Sequence, residues 1–220
     1  RESILIDNPL DSNKKNLRTS LKDSLLENLL FNERRQKDSI KLFEISDIYS
    51  NKDNDHQEKR LGIIVSGRCG NNYKDFSKKL DKNYLNEVLN LGSDISIFDI
   101  QEIPRDSLKT KKKEKIYYVE ILIEDIPIKF FETYKVAKPD INFIQYAPIS
   151  EFPSSTRDFS FSISNLEQYN SVISCIDDFQ DENLKDSFIF DFFLNEKLKE
   201  VKVGVRLVFQ SPIKTLSDED

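Results

Sequence analysis

Few side chains in this 220-residue chain have the chemistry of a nucleophile's partner or a soft metal ligand: one histidine, His56, and two cysteines, Cys69 and Cys175. A catalytic histidine needs a Ser or Cys nucleophile within hydrogen-bond reach. His56 instead lies in the polar run Asn51 to Lys59 (NKDNDHQEK), which has the composition of an exposed loop and supplies no such neighbour. A zinc site needs several nitrogen or sulfur ligands brought close together. The two cysteines are 106 positions apart, with no second Cys or His beside either, so both read as reduced thiols that behave as small buried hydrophobes. The spacings G-x-G-x-x-G, Walker A and H-E-x-x-H, which place nucleotides and catalytic metals, are absent. The basic run Lys109 to Lys115 (KTKKKEK) reads as a solvated loop, with a phosphate contact as the alternative. Judged by these side chains, the chain carries no recognisable active site.

The elements that would position any site follow from pattern and composition. With 33 basic and 39 acidic residues the net charge is -6, which argues against a protein that coats nucleic acid nonspecifically but leaves local patches open. No run approaches 18 apolar residues, so no helix is expected to span a membrane, and residues 1–10 lack the apolar run of a secretory signal. The chain has no Met and starts at Arg1, so it reads as a piece of a longer protein, with two small domains. Thr19 or Ser20 is placed to cap a helix whose Leu21, Leu25, Leu26, Leu29 and Leu30 form one stripe. Strands are expected at Ile40 to Tyr49 and Leu61 to Ser66, paired antiparallel across the polar loop. A second helix is predicted from Tyr73 to Leu91, ended by Gly92, with strands following near Ile95 to Ile103, Ile116 to Ile123 and Ile128 to Phe131. Pro139, Pro148 and Pro153 cluster at the expected domain boundary.

Beyond that boundary, Asp158 to Ile163 alternates Phe159, Phe161 and Ile163 against Ser160 and Ser162. A helix is predicted from Gln168 to Phe179, then strands at Phe188 to Phe193 and Val201 to Phe209, the last with Lys202, Gly204 and Arg206 outward. Strand, helix, strand, strand opens a βαββαβ ferredoxin-like fold. Thr215 or Ser217 with Asp218 and Glu219 looks like the first turn of a second helix that the sequence does not continue. The expectation is therefore an incomplete domain with apolar sheet surface uncovered, unstable or sticky in isolation.

The residues at both ends resemble one family, the carboxy-terminal part of the β subunit of bacterial-type phenylalanyl-tRNA synthetase. Asn8-Pro9-Leu10, Leu17-Arg18-Thr19-Ser20-Leu21 and Leu42-Phe43-Glu44-Ile45 look like its N-P-L, L-R-T-S-L and L-F-E-I-G segments. Phe152-Pro153, Arg157-Asp158, Phe190-Asp191, Phe209-Gln210 and Thr215-Leu216-Ser217-Asp218-Glu219 look like the F-P, R-D, F-D, F-Q and T-L-T-D-E-E positions of its ferredoxin-fold anticodon-binding domain. The resemblance implies an α+β chain. Residues 1–148 would form an antiparallel-sheet, synthetase-like but inactive core domain, and residues 149–220 an incomplete ferredoxin-like anticodon-binding domain. Three departures stand out. The segment after Ile103 is shorter than in the family, with KTKKKEK where an H-P-G-x-S-A-like stretch and a further strand pair would stand, which leaves the core's sheet topology open. Leu194-Asn195-Glu196 replaces the usual glycines of a hairpin, and the chain stops inside the last domain.

The resemblance further implies a cytoplasmic ligase subunit that binds no cofactor through these residues, ATP and magnesium being held by the α subunit of an α2β2 tetramer. Editing and further metal binding would belong to domains upstream of Arg1. This piece would pack on the α subunit and place phenylalanine tRNA through its anticodon stem-loop. The alternative is a free-standing RNA-binding or protein-interaction module that no longer serves an enzyme. Residues 149–220 hold 7 basic and 14 acidic residues, so RNA binding there needs a concentrated basic face. Its candidates are Arg157, Lys202, Arg206 and Lys214. Lys202 and Arg206 share the outer face of one strand, where ordinary solvated charge is the competing reading; Arg157, beside Asp158, has a structural reading as well. Ser160, Ser162, Lys202 and Gly204 offer no aromatic platform, so stacking of bases on this face is not expected.

Overall fold

The structure of the protein, a computed structural model, describes residues 3–12, 14–51, 56–89, 98–126, 148–164, 166–198, 200–217 and 220. It divides into two compact units, one made of Arg1–Gly67 with Lys79–Asp140, the other of Arg68–Lys78 with Ile141–Asp220. Both are α+β units built on antiparallel sheets. Among the described residues no helix is long and apolar enough to cross a membrane.

In the first unit, α1 (Lys22–Arg34) lies on a four-stranded sheet of order β1-β2-β4-β3. Its strands are β1 (Ser39–Ser50), β2 (His56–Gly67), β3 (Gln101–Ile103) and β4 (Ile116–Leu122). The leucine stripe behaves as its spacing predicts: Leu21, Leu25 and Leu29 are buried against Ile40, Ile64 and Ile116, and Leu26 and Leu30 flank them. Each fully buried leucine contributes about 1.5–3 kcal/mol relative to exposure. Gly62 permits this close approach, since a Cβ there would stand 2.8 Å from Leu25 Cδ1 and 3.0 Å from Leu21 Cβ. The opposite sheet face and α2 (Lys82–Leu89) enclose an almost wholly apolar groove of about 580 Å³, with Phe43, Ile63, Tyr84 and Val88 in its lining.

The start of α1 is held from the sheet. Ser20 Oγ accepts the Lys22 N–H at 3.1 Å, and Glu120 Oε2 on β4 accepts the Leu21 N–H at 2.9 Å and the Ser20 hydroxyl at 2.8 Å. Tyr118 Oη donates to the same oxygen, and Arg60 Nη1 lies 3.4 Å from Glu120 Oε1. The N-cap position falls on Leu21, which makes no side-chain cap hydrogen bond of its own, one residue beyond the Thr19 or Ser20 cap expected from sequence, so the helix start is secured by Ser20 and by the Glu120 carboxylate together.

The end of α1 is held by a second buried carboxylate. Glu33 is 7% exposed. Arg105 reaches it with two nitrogens, Nη2 to Oε1 at 2.7 Å and Nη1 to Oε2 at 3.1 Å, and also donates to Ser66 Oγ at 3.0 Å and to the Glu114 carbonyl. Thr110 Oγ1 donates to Glu33 Oε2 at 3.1 Å and accepts the Lys112 N–H at 3.2 Å. Leu108 packs against the core. The short β3–β4 connection is therefore anchored at several points, and β3 adds to the edge of β4 with Ile103 opposite Ile116.

The second unit holds β5 (Ser155–Ile163), α3 (Leu166–Asp177), β6 (Leu184–Asn195) and β7 (Glu200–Phe209), in sheet order β5-β7-β6. Both outer strands run antiparallel to β7, giving the split β-α-β arrangement expected of a ferredoxin-like opening. Val201, Val203 and Val205 are buried with Ile163 under Val172, Ile173 and Ile176 of α3. Phe159, on the same face, remains 47% exposed.

Three sequence expectations change. The helix predicted from Tyr73 starts only at Lys82, because Asn72 Oδ1 caps a turn through the Lys74 N–H at 2.9 Å and Asp81 Oδ1 starts the helix through the Tyr84 N–H at 2.9 Å. Residues 68–78 instead join the second unit. His56 opens β2 opposite Ser50 rather than standing within the loop. Cys175 is exposed and Cys69 half-buried, and neither forms a disulfide. The expected strand at Ile128 to Phe131, the Gly92 helix stop, most of Ile95 to Ile103 before β3, and the prolines before Pro148 lie outside the described residues.

Two outcomes test these anchors. Arg105→Ala leaves Glu33 buried without its guanidinium and should cost about 3–5 kcal/mol in urea unfolding; a loss under 1 kcal/mol would contradict the anchor. Burial pushes the Glu120 carboxyl up, but the Tyr118 hydroxyl, the Leu21 N–H, the Ser20 hydroxyl and Arg60 together bring its pKa below the ordinary 4.5. Its stabilisation is therefore complete above pH 4.5 and is lost as pH falls through the lower folded value. Glu120→Gln should flatten that acid limb of the stability profile.

Candidate nucleic-acid interface

The four basic residues proposed from sequence do not converge. Cross-strand register sorts the faces: Phe159, Phe161 and Ile163 stand opposite Val205, Val203 and Val201, so they share the α3 side, while Asp158, Ser160 and Ser162 stand opposite Arg206, Gly204 and Lys202 on the outer side. Arg157 stands opposite Leu207, which packs on the valine layer, and so lies on the face away from Lys202 and Arg206. Its Nη1 donates to Ser155 Oγ at 2.9 Å and to the Thr156 carbonyl at 3.2 Å.

Arg206 is engaged within its own sheet. Its Nε and Nη2 donate to Asp158 Oδ1 and Oδ2 at 2.7 and 2.8 Å, a fork geometry suited to a carboxylate. Hydrogen bonding from Arg206 holds the Asp158 carboxyl below its ordinary 3.8. The guanidinium also lies 5.2 Å from the Phe190 ring centroid and 5.5 Å from that of Phe76. The two rings are themselves 5.3 Å apart, and Arg68 stands 4.1 Å above Phe76.

The outer positions of β5 and β7 do not reveal this aromatic cluster. Phe188 stands opposite Arg206 and Ile189 opposite Val205, so alternation carries Phe190 to the outer face, and the register shift between Ile189 and Asp191 keeps Asp191 there and returns Phe192 to the α3 side. Phe190 lies over Gly204; a Cβ on Gly204 would come within 2.9 Å of Phe190 Cζ. Phe76 reaches the same face from the segment that sequence periodicity assigned to a helix. Ser160, Ser162, Lys202 and Gly204 themselves offer no platform; the rings on this face come from β6 and from the segment before α2, and they are packed with Arg68 and Arg206.

Lys202 is exposed, opposite Ser162. Lys214 lies beyond β7 and pairs with Asp220, whose carboxyl is drawn down to about 2, first by Lys214 and then by the Ser217 backbone and hydroxyl. Arg157, Asp181 and Asp220 line one concavity of about 210 Å³, in which acidic and basic groups are mixed. Among the described residues no group of three His, Cys, Asp or Glu is placed to hold a metal ion.

With this geometry in view, comparison with known proteins is informative. Residues 1–107 match the family described as the phenylalanyl tRNA synthetase beta chain CLM domain, and residues 150–220 match the ferredoxin-fold anticodon binding domain. The phenylalanine–tRNA ligase beta subunit of Dehalococcoides mccartyi (strain CBDB1) is 25% identical over 253 residues, covering 100% of this chain and 30% of the relative. That of Thermotoga maritima is 28% identical over 248 residues, covering 100% and 31%. That of Campylobacter jejuni (strain RM1221) is 26% identical over 231 residues, covering 96% and 29%. The chain spans about a third of the length of the curated relatives it matches.

The Asp158–Arg206 pair is partly exposed, at 45% and 25%, so a double-mutant cycle of Asp158→Ala and Arg206→Ala should return a coupling of about 0.2–1 kcal/mol. A cycle that closes to zero would return Arg206 to the set of uncommitted surface cations.

Proposed function

This chain belongs to the β-subunit family of phenylalanine–tRNA ligase, and from that premise we propose that it is a noncatalytic part of such a subunit, serving assembly and RNA placement. In this reading, residues 1–148 are the inactive synthetase-like core that packs on the α subunit of an α2β2 tetramer. Residues 149–220 are the anticodon-binding domain that reaches the anticodon stem-loop of phenylalanine tRNA in the cytoplasm. ATP and magnesium are bound by the α subunit, which carries out the chemistry of aminoacylation.

The observation that supports this most is the order of the two units within one chain: an α1-covered antiparallel sheet matching the beta-chain domain, then a split β-α-β sheet matching the anticodon-binding fold. The chemistry of the first unit agrees with a structural role. The buried Glu33 and the half-buried Glu120 are committed to the two ends of α1. Holding the acceptor end of a tRNA in place contributes to rate through orientation, without proton transfer by these residues. Lys202, on the outer sheet face, is the candidate RNA contact there that is not drawn into a side-chain ion pair among those identified.

Co-expression tests the reading. The chain should co-purify in equal amounts with an α subunit bearing the ATP site, and a chain that stays monomeric when that subunit is supplied would contradict it.

A further inference from the structure

The charge of the chain is distributed against the simplest version of RNA placement. Residues 149–220 carry 7 basic and 14 acidic residues, whereas residues 105–115 alone carry six basic and two acidic. Phosphate contacts by Lys and Arg dominate affinity for nucleic acid. A tRNA held by this chain therefore needs basic ground outside the acidic unit.

The β3–β4 connection provides it. Arg34 in the last turn of α1 and Lys109, Lys111 and Lys112 of the loop surround a concavity of about 370 Å³, with Leu30, Glu33 and Thr110 completing its lining. Arg34, Lys109 and Lys111 are exposed and Lys112 is half-buried. The one carboxylate in the lining, Glu33, is already met by the two-nitrogen contact from Arg105 and by the Thr110 hydroxyl. The C-terminal end of α1 adds about half a negative charge, well short of four cations. Lys112 also interacts with the Glu114 carboxylate, and Lys115 is paired with Glu102 at 2.9 Å; neither acid is part of the lining.

The loop is also preorganised. The Leu108 N–H donates to the Arg105 carbonyl at 2.9 Å, the Thr110 N–H to the Leu108 carbonyl at 2.9 Å and the Lys112 N–H to Thr110 Oγ1 at 3.2 Å. Lysines carried on a pinned loop lose less freedom on binding than lysines on a loose one. Among the described residues no aromatic ring lines the concavity, so they offer no platform for stacking bases.

We propose that Arg34, Lys109, Lys111 and Lys112 form a phosphate-binding saddle on the first unit that holds the backbone of a tRNA without reading its sequence. The proposal rests on the reading of the chain as a tRNA-placing subunit and adds a second point of attachment, on the core rather than on the anticodon-binding domain.

The test uses the 220-residue chain and labelled phenylalanine tRNA, with fluorescence anisotropy at several salt concentrations between 50 and 200 mM. The variant K109Q/K111Q/K112Q should bind at least about tenfold more weakly at the lowest salt, and its log–log salt slope should fall by about 2–3, at about 0.7–0.9 per lost phosphate contact. A tRNA of different sequence should give the same change, and thermal melts should confirm that the variant folds. K202Q serves as the comparison on the second unit. Unchanged affinity and slope in the triple variant would overturn the saddle, as would absence of salt-dependent RNA binding by the parent chain. Displacement of the tRNA by poly-glutamate as readily as by unlabelled RNA would assign the patch to acidic proteins and overturn it too. Co-purification with the α subunit is scored separately. A chain that assembles but keeps its RNA affinity after the triple substitution loses the saddle and keeps the functional reading; one that loses RNA affinity but does not assemble keeps the saddle and loses that reading.

Discussion

The two-nitrogen contact of Arg105 with the buried Glu33 carboxylate is the constraint on which the rest of the first unit depends. Glu33 ends the leucine-faced helix α1, and Arg105 begins the connection from β3 to β4. One interaction thus fixes the far end of the helix, the edge of the sheet and the course of the loop. A buried ion pair of this kind is a weak source of net stability, because two charges lose their water. Its consequence is specificity: with Ser66 and Thr110 supplying further hydrogen bonds, alternative courses of the loop would leave Glu33 buried without a partner. Glu120 plays the matching part at the other end of α1, where it accepts from the Leu21 N–H and the Ser20 hydroxyl.

The same economy governs the second unit. Arg206, the most obvious cation on the outer face of β7, is held by Asp158 and lies beside Phe190 and Phe76, and Lys214 is drawn to Asp220. Cations used internally in an acidic domain are weaker recruits for phosphate. The basic loop of the first unit differs in that its one lined carboxylate is matched by an arginine outside the cluster. In the proposed reading, a chain with this charge distribution holds tRNA through its core as well as through its anticodon-binding domain.

Much of the fold was legible in the sequence because burial enforces period. The leucines of α1 at positions 21, 25 and 29 and the alternating valines of β7 state their faces directly, and each is buried where its spacing puts it. What was not legible arose from single polar atoms and from register. Asn72 and Asp81 break a pattern that otherwise reads as one long helix from Tyr73. The rings of Phe190 and Phe76 reach the outer sheet face from β6 and from the segment before α2, which the outer positions of β5 and β7 alone do not reveal. Arg157 and Arg206, both on the list of basic candidates, fall on opposite sides of one sheet because they align with Leu207 and Asp158 respectively. The partnership of Glu33 with Arg105, 72 positions apart, leaves no trace in local composition, and without it KTKKKEK reads as a solvated run rather than a positioned one.

Cross-linking followed by mass spectrometry, on phenylalanine tRNA bound to the assembled α and β subunits, tests the central claim most directly. The account predicts RNA cross-links at two places in this chain, the loop from Lys109 to Lys112 and the anticodon-binding domain of residues 149–220. An assembled complex that binds tRNA yet yields no cross-link anywhere within residues 1–220 would contradict it.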